Sequence, residues 1–155
     1  MKRVFLSLGI LAIIAGPGVA FDIGEAETVV AILEQLADER GESVYVQAAA
    51  DWFEFDAETS GLIAAAGYDE ESWTLAYDAL LSGYMAAIPE AEYEAIISGP
   101  MSRLEASALS EEQKALVREE VERVVAEARE QRQVGTRHAD VVRPLVPRLD
   151  VLVER

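Results

Sequence analysis

Apolar residues along this chain recur at three-and-four spacing far more often than they alternate, so the pattern predicts helices. Asp22 to Arg40 opens on Asp22-x-x-Glu25, a capping-box pattern, carries Val29, Ile32, Leu33 and Leu36 on one face, and stops at Gly41. Ser43 to Phe55 is two-sided. Residues 43 to 47 alternate like a strand and residues 47 to 52 are alanine-rich, but a lone short strand leaves its backbone unpaired, so helix is the expectation. Asp56 to Ala66 reads as a short helix ended by Gly67. Asp69 then caps Glu70 to Ile88, where Trp73, Tyr77, Leu80, Tyr84 and Ile88 form one stripe up to Pro89.

Further on, Glu90 to Ile97 predicts another short helix, Gly99-Pro100 a break, and Met101 to Leu109 a resumption. Ser110-x-x-Gln113 is a second capping box, opening a long charged helix to about Gln133 with a narrow seam of Val117, Val121, Val124, Val125 and Ala128. Its flanks carry Arg118-Glu122, Glu119-Arg123 and Arg123-Glu127 at four-residue spacing, pairs worth only ~0.3 kcal/mol each. Gly135 is expected to break this helix. The closing segment, Asp140 to Val153, predicts a helix that tolerates Pro144 in its first turn and turns Leu145, Leu149 and Leu152 inward. The expected fold is therefore all-α, a compact bundle of five to seven helices.

The first twenty residues read differently. Lys2 and Arg3 precede an apolar run from Val4 to Ala15, then Gly16, Pro17, Gly18, Val19 and Ala20, the layout of a secretory signal peptide cut between Ala20 and Phe21. The run is short and glycine-interrupted for a bilayer span, so no stable membrane span is expected after cleavage. The domain assignment is thus a signal peptide over 1–20 and one helical domain over 21–155. Without a cysteine the chain cannot be a lipoprotein, and export places it in the periplasm or outside a bacterial cell.

Composition narrows the chemistry. The chain has 155 residues, 29 acidic side chains against 13 basic ones, one histidine and no cysteine. Disulfide frameworks, cysteine-ligated zinc, iron-sulfur clusters and thiol catalysis are excluded. A net charge of -16 with no basic patch argues against nucleic acid as a partner. The charge is unevenly spread: residues 22 to 112 hold 21 acids with only Arg40 and Arg103, whereas residues 113 to 155 hold nine bases and eight acids. Either the C-terminal arginines lie across the acidic helices, or the acidic half faces a cationic protein or envelope component.

Site signals are sparse. Asp56, Glu58 and Ser60 fall at positions 1, 3 and 5 of a pattern resembling an EF-hand loop, with Gly61 at 6, but position 12 is Gly67 in place of the bidentate glutamate. His138 has no second histidine or cysteine to share a metal with and reads as solvated. No G-x-S-x-G, S-x-x-K or H-E-x-x-H motif occurs, so no catalytic residue, metal or cofactor is assigned. Glu54, Asp56 and Glu58 beside Trp52 would suit a carbohydrate-active enzyme with paired carboxylates. Trp52, Trp73, Tyr77 and Tyr84 either line an apolar ligand pocket between helices or form the core seam.

Two resemblances carry further expectations. The run Ala66 to Trp73 (AGYDEESW), with Tyr77, Leu80, the stretch 84 to 87, residues 109 to 114 and the closing Asp140-Val-Val-Arg-Pro144 with Arg148-Leu149-Asp150, resembles uncharacterised exported helical proteins of proteobacteria. That resemblance implies helices and export and brings no site residues. Leu109-Ser-Glu-Glu-Gln113 resembles the L-T-x-x-Q signature of Spy- and CpxP-type periplasmic helical proteins, which implies an ATP-independent, chaperone-like holdase or stress-response role. The primary expectation is a non-enzymatic binding or adaptor module. The oligomeric state is left open, as is whether the valine seam pairs within the monomer or between subunits.

Overall fold

The computed structural model describes residues 20–154, so the segment read as a signal peptide lies, but for Ala20, outside the described residues. Among these there is no strand, and six α-helices have eight residues or more, as the periodicity predicts. Helix α1 spans Ile23–Arg40: the Asp22 carboxylate accepts the Glu25 N–H, and Gly41, in the left-handed region at φ 70°, closes it by donating to Ala37. Ala26, Val29, Val30, Leu33 and Leu36 on its inner face are fully buried.

Residues 43 to 47 form neither the expected helix nor a strand. The chain runs here as a loop whose polar backbone is satisfied from other elements: Val44 N–H donates to the Leu152 carbonyl at 2.9 Å, and the Tyr77 hydroxyl donates to the Tyr45 carbonyl at 2.6 Å. Helix α2 therefore starts only at Ala49–Glu58 and continues through Asp56, which ends a helix instead of opening one. After a turn at Gly61 (φ 65°), the four-residue α3, Leu62–Ala65, follows.

Helix α4, Glu70–Ala87, begins at a complete Asp69/Ser72 capping box and is the centre of the fold, packing against α1, α2 and the C-terminal elements. Helix α5 runs unbroken over Glu90–Glu105, with Pro100 inside it, where a break was expected. Tyr93, Ile97 and Leu104 lie on one face on both sides of the proline, and burying that face on the next helix outweighs an interior-proline cost of ~3 kcal/mol.

Helix α6 spans Glu111–Gly135 from the Ser110/Gln113 capping box. With α5 it forms an antiparallel hairpin, tied by Arg118 to Glu105 at 2.7 Å and Arg129 to Glu94 at 3.2 Å. Arg118 thus reaches across to α5 instead of pairing with Glu122 on its own helix, while Arg123 bridges Glu120 and Glu127. The valine seam is only half covered: Val117 and Val124 are exposed and Val121, Val125 and Ala128 half-buried.

Gly135 does not break the backbone; its φ of -68° is helical. What requires glycine is proximity, because a Cβ there would lie 1.9 Å from the Ser82 carbonyl oxygen of α4. A 3-10 turn at Thr136–His138 leads into α7, Ala139–Val142, then a second 3-10 turn at Arg143–Leu145 and α8, Val146–Val153, so the tail follows the core as one bent helical path. Val142, Leu149 and Leu152 are fully buried there. Among the described residues no helix is long and apolar enough to cross a membrane.

Candidate docking surface

The acids and aromatics singled out in the sequence divide sharply by burial. Trp52, Trp73 and Tyr77 are fully buried and Tyr84 nearly so, and each of the last three spends its polar atom on the fold. Trp73 Nε1 donates to the Ala49 carbonyl at 3.0 Å, the Tyr77 hydroxyl to Tyr45, and the Tyr84 hydroxyl to Asp150 at 2.8 Å. Burial pushes the Tyr77 and Tyr84 hydroxyls well above the usual phenol range, and Asp150 adds to the shift at Tyr84. These rings are the core seam. Trp52, fully covered, turns no open face to a sugar.

Asp56, Glu58 and Ser60 do not converge. Asp56 is 2% exposed, and its two oxygens accept the Leu62 and Ile63 N–H groups at 2.7 and 2.8 Å, satisfying the first turn of α3. Ser60 donates to the Glu39 carboxylate of α1, and Glu58 faces solvent from the last turn of α2. Among the described residues no group of three or more histidine, cysteine or acidic side chains is placed to hold a metal ion. His138 is half-buried instead of solvated: its ring meets Phe21 edge-on at 5.4 Å and accepts from Arg137 at 3.0 Å, and burial lowers its pKa, with the neighbouring arginine adding to it.

A surface feature does gather around α2. Asp51, Glu54, Phe55 and Glu58 share a helix face beside the buried Trp52 and Asp56, and with Arg40 they line an open cleft of about 240 Å³. Arg40 lies over Trp52 and Phe55 at 5.1 and 5.4 Å and pairs with Glu42 at 2.8 Å, so the cleft's single base is already held. Alongside, the loop before α2 holds Tyr45 and Val46 in solvent, 49% and 42% exposed, and the Tyr45 hydroxyl donates to Asp51 at 2.8 Å. That bond to a carboxylate raises the Tyr45 pKa. Gln47, which turns the chain back toward α2, has φ 67°, a left-handed conformation that costs a non-glycine residue about 1 kcal/mol. Sequence reasoning missed Tyr45 and Val46, because their alternation reads as strand or helix and nothing local shows that the loop points them outward.

The C-terminal bases reach only part of the acidic half. Arg148 makes a two-pronged bond to Glu34 of α1, while Arg132 and Arg129 pair with Glu90 and Glu94 of α5. Arg132 also donates to the Met85 and Ile88 carbonyls at the end of α4 and lies 4.3 Å above the Tyr93 ring. From residue 41 to 102 the chain has 12 acids and no base. Among the described residues Asp51, Glu54, Glu58, Glu70 and Glu71 have no ion pair. Searches against family profiles, curated proteins and solved structures found no match to this chain.

Proposed function

We propose that the protein is an exported, non-enzymatic binding module whose α2 face docks a cationic segment of a partner protein. One observation carries this reading: exposed Tyr45, followed by exposed Val46 on a strained loop, bonds to Asp51 of a cleft whose acids Asp51, Glu54 and Glu58 lack ion pairs. An exposed aromatic beside acidic side chains suits a protein-binding hot spot, where tyrosine is enriched and a polar rim surrounds it. The charge supplies steering and the anchor supplies lifetime, so the favoured occupant is a basic segment with at least one apolar side chain.

The test uses a labelled amphipathic peptide rich in lysine and arginine, titrated by fluorescence anisotropy. Saturable binding that weakens at least about tenfold between 50 and 500 mM salt is expected, because exposed charges are screened beyond ~8 Å already at physiological salt. Glu54→Gln with Glu58→Gln should flatten that salt dependence, and Tyr45→Ala should weaken binding at both salts. A change of less than about twofold across the salt range overturns the proposal.

A further inference from the structure

The α5–α6 hairpin carries a second surface, remote in sequence from the α2 face. On one side of it lies an open groove of about 370 Å³, floored by Ile97 and Met101 of α5 and Val125 and Ala126 of α6, with Glu122 and Arg129 on its rim. Glu122 is exposed and has no ion pair among the described residues. Arg129 is 58% exposed, and its bond to Glu94 is a long 3.2 Å between two solvated side chains, the kind of pair water and salt weaken most. Both rim charges are therefore open to another partner.

We infer that this groove is the interface of an antiparallel dimer, in which each α6 seats in the groove of a second copy of this chain. The charge pattern selects that occupant and its direction. On the groove side of α6, Arg118, Glu122, Val125 with Ala126, Arg129 and Gln133 follow at three-and-four spacing. A two-fold axis between Val125 and Ala126 brings Glu122 opposite Arg129 of the second copy and Arg129 opposite its Glu122, with Arg118 opposite Gln133. No like charges meet. A parallel arrangement would instead set Glu122 on Glu122 and Arg129 on Arg129, so the same residues repel in the other direction. Ala126, exposed and small, sits at the axis and lets the two helices approach at the 8–10 Å of ordinary helix packing.

The experiment is sedimentation of the purified protein over a concentration series, with paired charge reversals. A reversible dimer is expected; Glu122→Arg and Arg129→Glu should each weaken it at least about tenfold, and the two together should restore it. Circular dichroism checks that each variant keeps its helicity, as substitution of exposed residues should. In a second arm, Ala126→Cys, placed in a chain that has no cysteine, should give a covalent dimer on mild oxidation. Ala115→Cys should not, since its two copies would lie about 30 Å apart along the helices. A monomer up to ~100 μM, a dimer indifferent to the single reversals, failure of the double reversal to restore it, or equal crosslinking at residues 115 and 126 would each overturn the interface.

Discussion

Replacing Gly135 with alanine separates helix propensity from packing, because the two predict opposite signs. At a helical φ of -68° alanine is the better helix former by ~1 kcal/mol, and propensity alone says the variant gains stability. The tertiary structure says the reverse. The new methyl carbon would stand 1.9 Å from the Ser82 carbonyl oxygen, 2.2 Å from its carbon and 2.9 Å from the Gly83 nitrogen. All three are backbone atoms of α4, so no side-chain rotation relieves the overlap and the end of α6 must move off α4 by about 1 Å. Overpacking of this kind costs about 3 kcal/mol, and subtracting the propensity gain leaves a net loss of about 2 kcal/mol. For a domain of this size that lowers Tm by roughly 8 °C, read by circular dichroism during thermal or urea denaturation. Gly83→Ala is the internal control: its Cβ would meet Val142 Cγ2 at 2.7 Å, His138 Cβ at 2.9 Å and the His138 carbonyl oxygen at 3.3 Å, a much milder overlap than the 1.9 Å at Gly135 and one that rotation of Val142 partly relieves, so its loss should be smaller. A Gly135→Ala protein melting at or above the parent temperature would refute the close approach of α4 and α6.

Three further outcomes follow from the same contacts. Asp56→Ala should lose about 2–3 kcal/mol in urea denaturation, since two N–H groups of α3 lose a charged acceptor; the same bonds keep Asp56 from a metal, so millimolar calcium should leave Tm unchanged. Burial and the neighbouring Glu25 and Asp22 hold the Tyr68 hydroxyl up at about 12, against 10.0 unperturbed. The unfolded chain then releases that proton first, so stability is intact below pH 10 and falls between pH 10 and about 12; Tyr68→Phe should move the alkaline unfolding midpoint upward, and an unmoved midpoint would count against the shift. Arg132→Lys should destabilise by roughly 1–2 kcal/mol despite keeping the charge, because one ammonium cannot serve the Met85 and Ile88 carbonyls, Glu90 and the Tyr93 ring together; an unchanged urea midpoint would contradict that role.

Elements whose signals are local were legible in advance. Asp22, Asp69 and Ser110 cap the helices they were expected to cap, and the stripe of Trp73, Tyr77, Leu80 and Tyr84 is the buried face of α4, because capping and 3.6-residue periodicity act within a few residues of chain. Signals that depend on a distant partner misled. Gly99-Pro100 looks like a stop until α6 covers the face on both sides of it, and residues 43 to 47 look like helix or strand until α4 and α8 take over their backbone bonds. Of the candidate site, the acids of α2 were visible as composition, whereas Tyr45 and Val46 were not.

The sequence by itself determined an all-helical chain, the caps, the core stripe of α4 and the imbalance of charge between its halves, since each rests on covalent spacing and side-chain chemistry. Tertiary structure alone decided that Asp56 caps α3 while Glu54 and Glu58 face water, that Gly135 is needed for nearness and not for flexibility, and that the C-terminal arginines reach Glu34, Glu90 and Glu94 but not the α2 cleft. The physical reason is range: helix formation is settled over a few residues, but the close approach at Gly135 and the pairing of the C-terminal arginines join residues 35 to 114 positions apart, and only the packed chain brings those together.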